Sequence, residues 1–130
     1  MNWSRVVLDA SAIMAVLNDE PGAEKLTAEL LSTAVSSTVN LAEVCSKLVA
    51  RGLNPNTAWA ATLGPVQEAI PFSADHAKAA GSMIAQTRTL GLSLGDRACL
   101  ALALDLKAPV YTADRSWKSL KLGVQIRFIR

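Results

Sequence analysis

Four acids in this sequence, Asp9, Glu43, Asp96 and Asp114, are candidates for joint chemistry, and three of them fall where strands end or helices begin. Arg5-Val-Val-Leu-Asp9 reads as a short buried strand ending in an acid. Asp114 follows the apolar run Pro109–Thr112 by two residues, and Asp96 stands in the first turn of a helix opened by Ser93-Leu-Gly-Asp. In α/β sheets, ligands bind beyond the carboxyl ends of the strands, where helix N-termini also point. Three carboxylates are therefore expected along one sheet edge. Packed carboxylates repel one another and resist ionising unless a cation neutralises them. Hard divalent cations such as Mg2+ take oxygen ligands and retain waters, and they activate water and stabilise in-line displacement at phosphorus. A phosphodiester-cleaving centre of that kind needs no histidine, cysteine or organic cofactor.

Each acid also has a purely local reading. Asp9 and Asp114 suit the caps of the helices that follow them, and Ser93 with Asp96 forms a capping-box pattern. Glu43 lies opposite the stripe Leu41, Val44, Cys45 and Leu48 and can pair with Lys47 one turn on. Singly, these are caps and a surface charge; the case for chemistry rests on their combination.

Other chemistries find little support. His76 is the single histidine, so any Ser-His-Asp or Cys-His scheme depends on it alone. It reads as an exposed residue near a helix start, with Asp75 beside it favouring the helix N-terminus. Cys45 and Cys99 fall in apolar helical patterns without the partners zinc needs, and read as reduced core residues. Neither Gly-x-x-x-x-Gly-Lys nor Gly-x-Gly-x-x-Gly occurs, which argues against nucleotide cofactors.

The elements that must position the acids alternate. Strands are expected at 5–9, 34–37, 69–72, 109–112 and 124–129, and Pro71 puts the third of them at an edge, since it cannot donate to a ladder. Helices are expected over 11–17, 23–31 and 38–51, from Asn54-Pro-Asn-Thr onward, and over 75–90, 94–106 and 116–120, with Gly52 and Gly91 as stops. Cys99, Leu100, Ala103 and Leu104 line the inner side of the penultimate helix, and Trp117 is expected to seal the core. Short apolar strands alternating with helices give an α/β layer sandwich on a mostly parallel sheet.

With 130 residues, 51% hydrophobic and 18% charged, one domain over 1–130 with a sizeable core is expected. The longest apolar stretch, Ala98–Leu104, is too short to cross a membrane. No secretory signal is visible, so the cytoplasm is the expected location. Net charge is +2, but residues 76–130 hold nine basic and three acidic side chains against four and eight in residues 1–75. Such a split suits an anionic partner, and equally an unevenly charged solvated surface.

Four blocks in register carry a family resemblance: Val7-Leu-Asp9-Ala-Ser11-Ala, Ser37-Thr-Val-Asn-Leu-Ala-Glu43, Leu92-Ser-Leu-Gly-Asp96-Arg-Ala-Cys-Leu-Ala-Leu-Ala103 and Val110-Tyr-Thr112-Ala-Asp114-Arg-Ser-Trp117. In their order and spacing the chain resembles the PIN-domain superfamily, and within it the single-domain VapC-type toxins of toxin–antitoxin pairs. The resemblance implies a three-layer α/β/α PIN-like fold and an endoribonuclease dependent on Mg2+ or Mn2+. It places the metal-site acids at Asp9, Glu43, Asp96 and Asp114, with Ser11 and Thr112 as flanking hydroxyls. Thr38 matches a further hydroxyl position and reads better as a helix N-cap. Arg97 and Arg115, each beside one of the acids, are candidates for RNA phosphate contacts, with surface solvation an equal alternative. RNA as substrate, a cognate antitoxin and a homodimer are the implied partners. Leu30, Leu31, Trp59 and Leu63 are apolar residues to spare for the antitoxin.

Two rival readings remain. A non-catalytic PIN-like module that only holds RNA or protein would keep the fold without the chemistry. A Mg2+-binding receiver-type signalling domain would need paired acids after the first strand and a Lys ending the fifth; here only Asp9 and no such Lys are found.

Overall fold

The computed structural model describes residues 4–130; residues 1–3, the start of the expected domain, lie outside the described residues. Among the described residues, five strands, β1 (Val6–Leu8), β2 (Ala34–Ser37), β3 (Glu68–Ile70), β4 (Val110–Thr112) and β5 (Ile126–Phe128), form a sheet in the order β3-β2-β1-β4-β5. All of the pairings are parallel. The chain grows outward from β1 in one direction through β2 and β3, then returns to add β4 and β5 on the other side. Between β1 and β4 the order therefore reverses, and the crevice beyond their carboxyl ends is where such sheets bind ligands.

Among the described residues, seven α-helices cover the sheet: α1 (Ala10–Asn18), α2 (Ala28–Leu31), α3 (Thr38–Ala50), α4 (Pro55–Leu63), α5 (Ala74–Ser82), α6 (Ile84–Thr87) and α7 (Leu94–Leu106). Short 3-10 turns occupy Ala23–Lys25, Arg88–Leu90 and Arg115–Ser119. Strand side chains alternate between faces. Val6, Leu8 and Ala34 join Ile13, Leu41, Val44 and Leu48 in one core, while Val7, Val35 and Val110 join Cys99, Leu100 and Trp117 in the other. Two cores on the two faces of a parallel sheet make the expected three-layer α/β/α sandwich.

Several expectations are corrected. The 23–31 helix is two pieces, because Leu26 leaves helical geometry and the Thr27 hydroxyl accepts the Leu30 N–H, opening α2 afresh. The 75–90 helix breaks after Ser82, just past Gly81, a poor helix former. There the hydroxyls of Ser82 and Thr87 bond back to the Lys78 and Met83 carbonyls. The edge strand pairs over Glu68–Ile70 rather than 69–72, leaving Pro71 outside the ladder. Ser37, not Thr38, caps α3; the Thr38 hydroxyl instead accepts the Phe72 N–H. Leu104 is 38% exposed rather than internal.

Trp117 is fully buried in the second core, as expected. Trp117→Ala is expected to cost about 3–5 kcal/mol through the cavity it leaves, read as a lowered urea midpoint. A loss below about 1 kcal/mol would place Trp117 outside the cooperative core.

Candidate metal centre

Asp9 is the residue after β1 and caps α1: its Oδ1 accepts the Ala12 N–H at 2.8 Å and the Ser11 hydroxyl at 2.7 Å. Its Oδ2 accepts the Thr112 hydroxyl of β4 at 2.6 Å. The carboxylate is thus gripped by the first turn of α1 on one side and by β4 on the other, at the point where strand order reverses. It is also 4% exposed. Burial raises the Asp9 pKa from its ordinary 3.8 to about 6; the Thr112, Ser11 and Ala12 hydrogen bonds pull it down, and the Asp96 charge adds a further upward push.

Ser11 and Thr112 extend the network toward the fourth acid. Their hydroxyls are 3.3 Å apart, the Ser11 oxygen accepts the Ala113 N–H, and the Thr112 oxygen accepts the Asp114 N–H at 3.0 Å. Asp114 in turn caps the Arg115–Ser119 turn, its Oδ1 accepting the Ser116 N–H and hydroxyl at 2.9 and 2.7 Å. The Asp96 carboxylate accepts the Ser93 N–H at 2.9 Å while the Ser93 hydroxyl accepts the Asp96 N–H, completing the capping box of α7. The capping readings of all three aspartates are therefore literally correct.

Glu43 departs from its local reading. Its carboxylate is packed against Gly95, in the first turn of α7, because an added Cβ on Gly95 would overlap Glu43 Oε1. Partial burial raises its pKa first, then the charge of Asp96; Lys47 opposes and Asp9 adds to the rise. Asp9, Glu43 and Asp96 thus form one electrostatically coupled set. The Cys99 thiol, buried behind them, is held well above its ordinary range by burial first and by these three acids next. Among the described residues, no three Asp, Glu, His or Cys side chains stand in a finished ligand array. The donors are nevertheless all carboxylate oxygens, mutually repelling and partly desolvated, which is the chemistry that fits a hard divalent cation.

The two arginines are placed differently. The Arg97 Nη1 donates to the Ala80 carbonyl in the last turn of α5 at 2.9 Å. Arg115 lies 4.6 Å from the Phe128 ring centroid, with an exposed hydrogen bond of 3.4 Å to the Arg130 carbonyl. His76 is 5% exposed, not solvated, and its Nε2 lies 2.9 Å from Asp105 Oδ2 of α7. Asp75 stands in the first turn of α5, as expected. Two residues passed over in the sequence lie between α3 and α7: Asn40, whose Nδ2 donates to the Gly95 carbonyl at 3.0 Å, and Gly95 itself. The available signal was a polar residue in line with the apolar stripe, next to Leu41 and four positions before Val44, and a glycine directly before Asp96.

Comparison with known proteins bears on the family and the fold. A family model described as PIN domain matches residues 6–122. No curated protein sequence matches the chain. Among solved structures, DNA-bound VapBC from Salmonella typhimurium matches with TM-score 0.77 and 16% identity, covering 98% of this chain and 99% of the matched one. VapBC2 from Rickettsia felis, bound to a promoter DNA fragment, matches with TM-score 0.73 and 20% identity over 95% and 97%. VapBC-5 from Mycobacterium tuberculosis, of the VapBC family of toxin–antitoxin systems, matches with TM-score 0.60 and 22% identity over 98% of each chain. At these identities the likeness concerns the fold.

The buried Asp9 carboxyl yields a pH signature in the metal-free protein. The folded chain keeps this proton up to about pH 6, whereas an ordinary Asp releases it near 3.8. Between those values the folded state binds more protons, so Asp9 makes stability fall as pH rises through them. The stability of Asp9→Asn relative to wild type is expected to rise by about 2–3 kcal/mol between about pH 4 and about pH 7. Urea unfolding at each pH measures it, and a flat difference would remove the buried-charge account.

Proposed function

Because the chain belongs to the PIN-domain family, we propose that it is a metal-dependent endoribonuclease that cuts RNA phosphodiester bonds as the toxin of a type II toxin–antitoxin pair. The observation that carries this reading is the coupled set Asp9, Glu43 and Asp96 beyond the carboxyl ends of β1 and β2, with Asp114 tied to it through Thr112. These four carboxylates are the residues that would hold Mg2+ or Mn2+. When bound, such an ion supplies the positive charge that lets the acids ionise together, and it polarises water and phosphate at one place.

The chain's own side chains prepare that place. Ser11 and Thr112 donate to opposite oxygens of Asp9 and fix the plane of its carboxylate. The capping bond from Ser93 holds the Asp96 carboxylate at the start of α7, where the helix dipole favours negative charge. Burial of Asp9 keeps water from most of its carboxylate, so its charge is little screened. Arg115, beside Asp114 and exposed, is the better placed of the two arginines for an RNA phosphate, since Arg97 is engaged with α5.

The receiver-type reading loses its footing in the topology. Receiver sheets run in the order 2-1-3-4-5, and this sheet runs β3-β2-β1-β4-β5. The non-catalytic reading is separated by experiment. Asp96→Asn is expected to lower Mg2+- or Mn2+-dependent cleavage of total RNA by at least about a hundredfold while the circular dichroism spectrum is retained. Full cleavage by that variant would remove the site assignment, and wild type equally inactive with metal and with chelator would favour the binding module.

An antitoxin partner is supported by the fold shared with VapBC complexes, and a homodimer is proposed alongside it. Of the four apolar residues offered for docking, Leu30, Leu31 and Leu63 pack partly against the first core, while Trp59 on α4 is 41% exposed. Buried aromatic anchors dominate binding energy at interfaces. Trp59→Ala combined with Leu30→Ala is therefore expected to weaken binding of the adjacent gene's product by at least about tenfold in calorimetry. Unchanged affinity would move the docking surface elsewhere.

A further inference from the structure

We propose that Gly95, held by Asn40, is the seat of the Glu43 carboxylate and sets the spacing between Glu43 and Asp96 that a divalent cation requires; this rests on the metal-centre reading above. Gly95 is the second residue of α7 and is not among the positive-φ residues, so its backbone does not call for glycine. Glycine inside a helix is less favourable than alanine. What a Cβ at this position would meet first is Glu43. A Cβ on Gly95 would overlap its Oε1, stand 2.7 Å from its Cδ and 3.3 Å from its Oε2, and no other residue is among its nearest contacts. Gly81, in α5, meets nothing within 4 Å. The missing side chain of Gly95 is thus a cradle fitted to one carboxylate.

Asn40 keeps the cradle in place. One turn ahead of Glu43 on α3, it reaches across to the Gly95 carbonyl at 3.0 Å and is 2% exposed. Its Oδ1 is buried with no partner among the described residues. A half-satisfied buried amide is a cost to folding, and at this position it ties the helix bearing Glu43 to the first turn bearing Asp96. Gly95 and Asn40 are positioning residues: they act on the cation through Glu43.

The atoms a Gly95 side chain would meet belong to the far end of a flexible glutamate, so substitution should move the carboxylate and spare the fold. The test is Mn2+ binding by calorimetry, without RNA, paired with melting of the metal-free protein. Gly95→Ala is expected to weaken Mn2+ binding about 10–100-fold while the metal-free Tm holds or rises. Adding Glu43→Asp, one methylene shorter, should shrink that penalty relative to Gly95→Ala measured against the Glu43 background. Asn40→Leu should weaken Mn2+ binding in the same direction with folding retained. If Asp96→Asn weakens Mn2+ binding but Gly95→Ala does not, the seat is refuted and the metal centre stands. Parallel loss of Tm and binding in Gly95→Ala would make it a packing glycine and overturn the seat. Absence of Mn2+ binding by wild type would overturn both.

Discussion

The 2.6 Å hydrogen bond from the Thr112 hydroxyl to Asp9 is the constraint on which the rest of the molecule depends. It joins β4 to the end of β1 at the point where strand order reverses, and it does so with a carboxylate that burial disfavours as a charge. A buried carboxylate persists only where hydrogen bonds replace water, and Asp9 receives three, from Ser11, Ala12 and Thr112. The strands are three or four residues long, so their carboxyl ends are secured by side chains as much as by the ladder. Ser36 adds a similar tie, donating to the Leu8 carbonyl at 2.8 Å.

The groups that cap helices here are the same ones proposed to hold the metal. Asp9, Asp96 and Asp114 each satisfy backbone N–H groups at the start of a helical segment. Capping holds a carboxylate in one orientation, and the helix terminus favours its charge. The fold therefore gathers acids at one edge without needing a separate structural reason for each. Mutual repulsion is the cost, visible in the upward push that Asp96 exerts on both Asp9 and Glu43.

The opposite layer is braced by two polar struts. His76, in the first turn of α5, meets Asp105 near the end of α7, and Arg97, in the first turn of α7, meets the Ala80 carbonyl near the end of α5. The pair of contacts defines α5 and α7 as antiparallel neighbours. Because α7 carries Gly95 and Asp96 in its first turn, bracing it against α5 also steadies the site edge. A histidine and an arginine that suggest chemistry by type are thus occupied in holding a helix.

By itself, the sequence determined whatever depends on neighbours along the chain. Alternating strand residues placed Val6 and Leu8 on one core and Val7 on the other, and the Ser93-Leu-Gly-Asp96 capping box opened α7 where the pattern put it. Family blocks in register singled out the four acids proposed for the metal centre. Tertiary structure decided what depends on partners distant in sequence. It buried His76 against Asp105 and gave Thr38 to the Phe72 N–H. It also laid Glu43 into the space left by Gly95, 52 positions away. Periodicity and capping act over three or four residues and leave a local trace, whereas the fit of a carboxylate to a missing side chain exists only once α3 and α7 have packed.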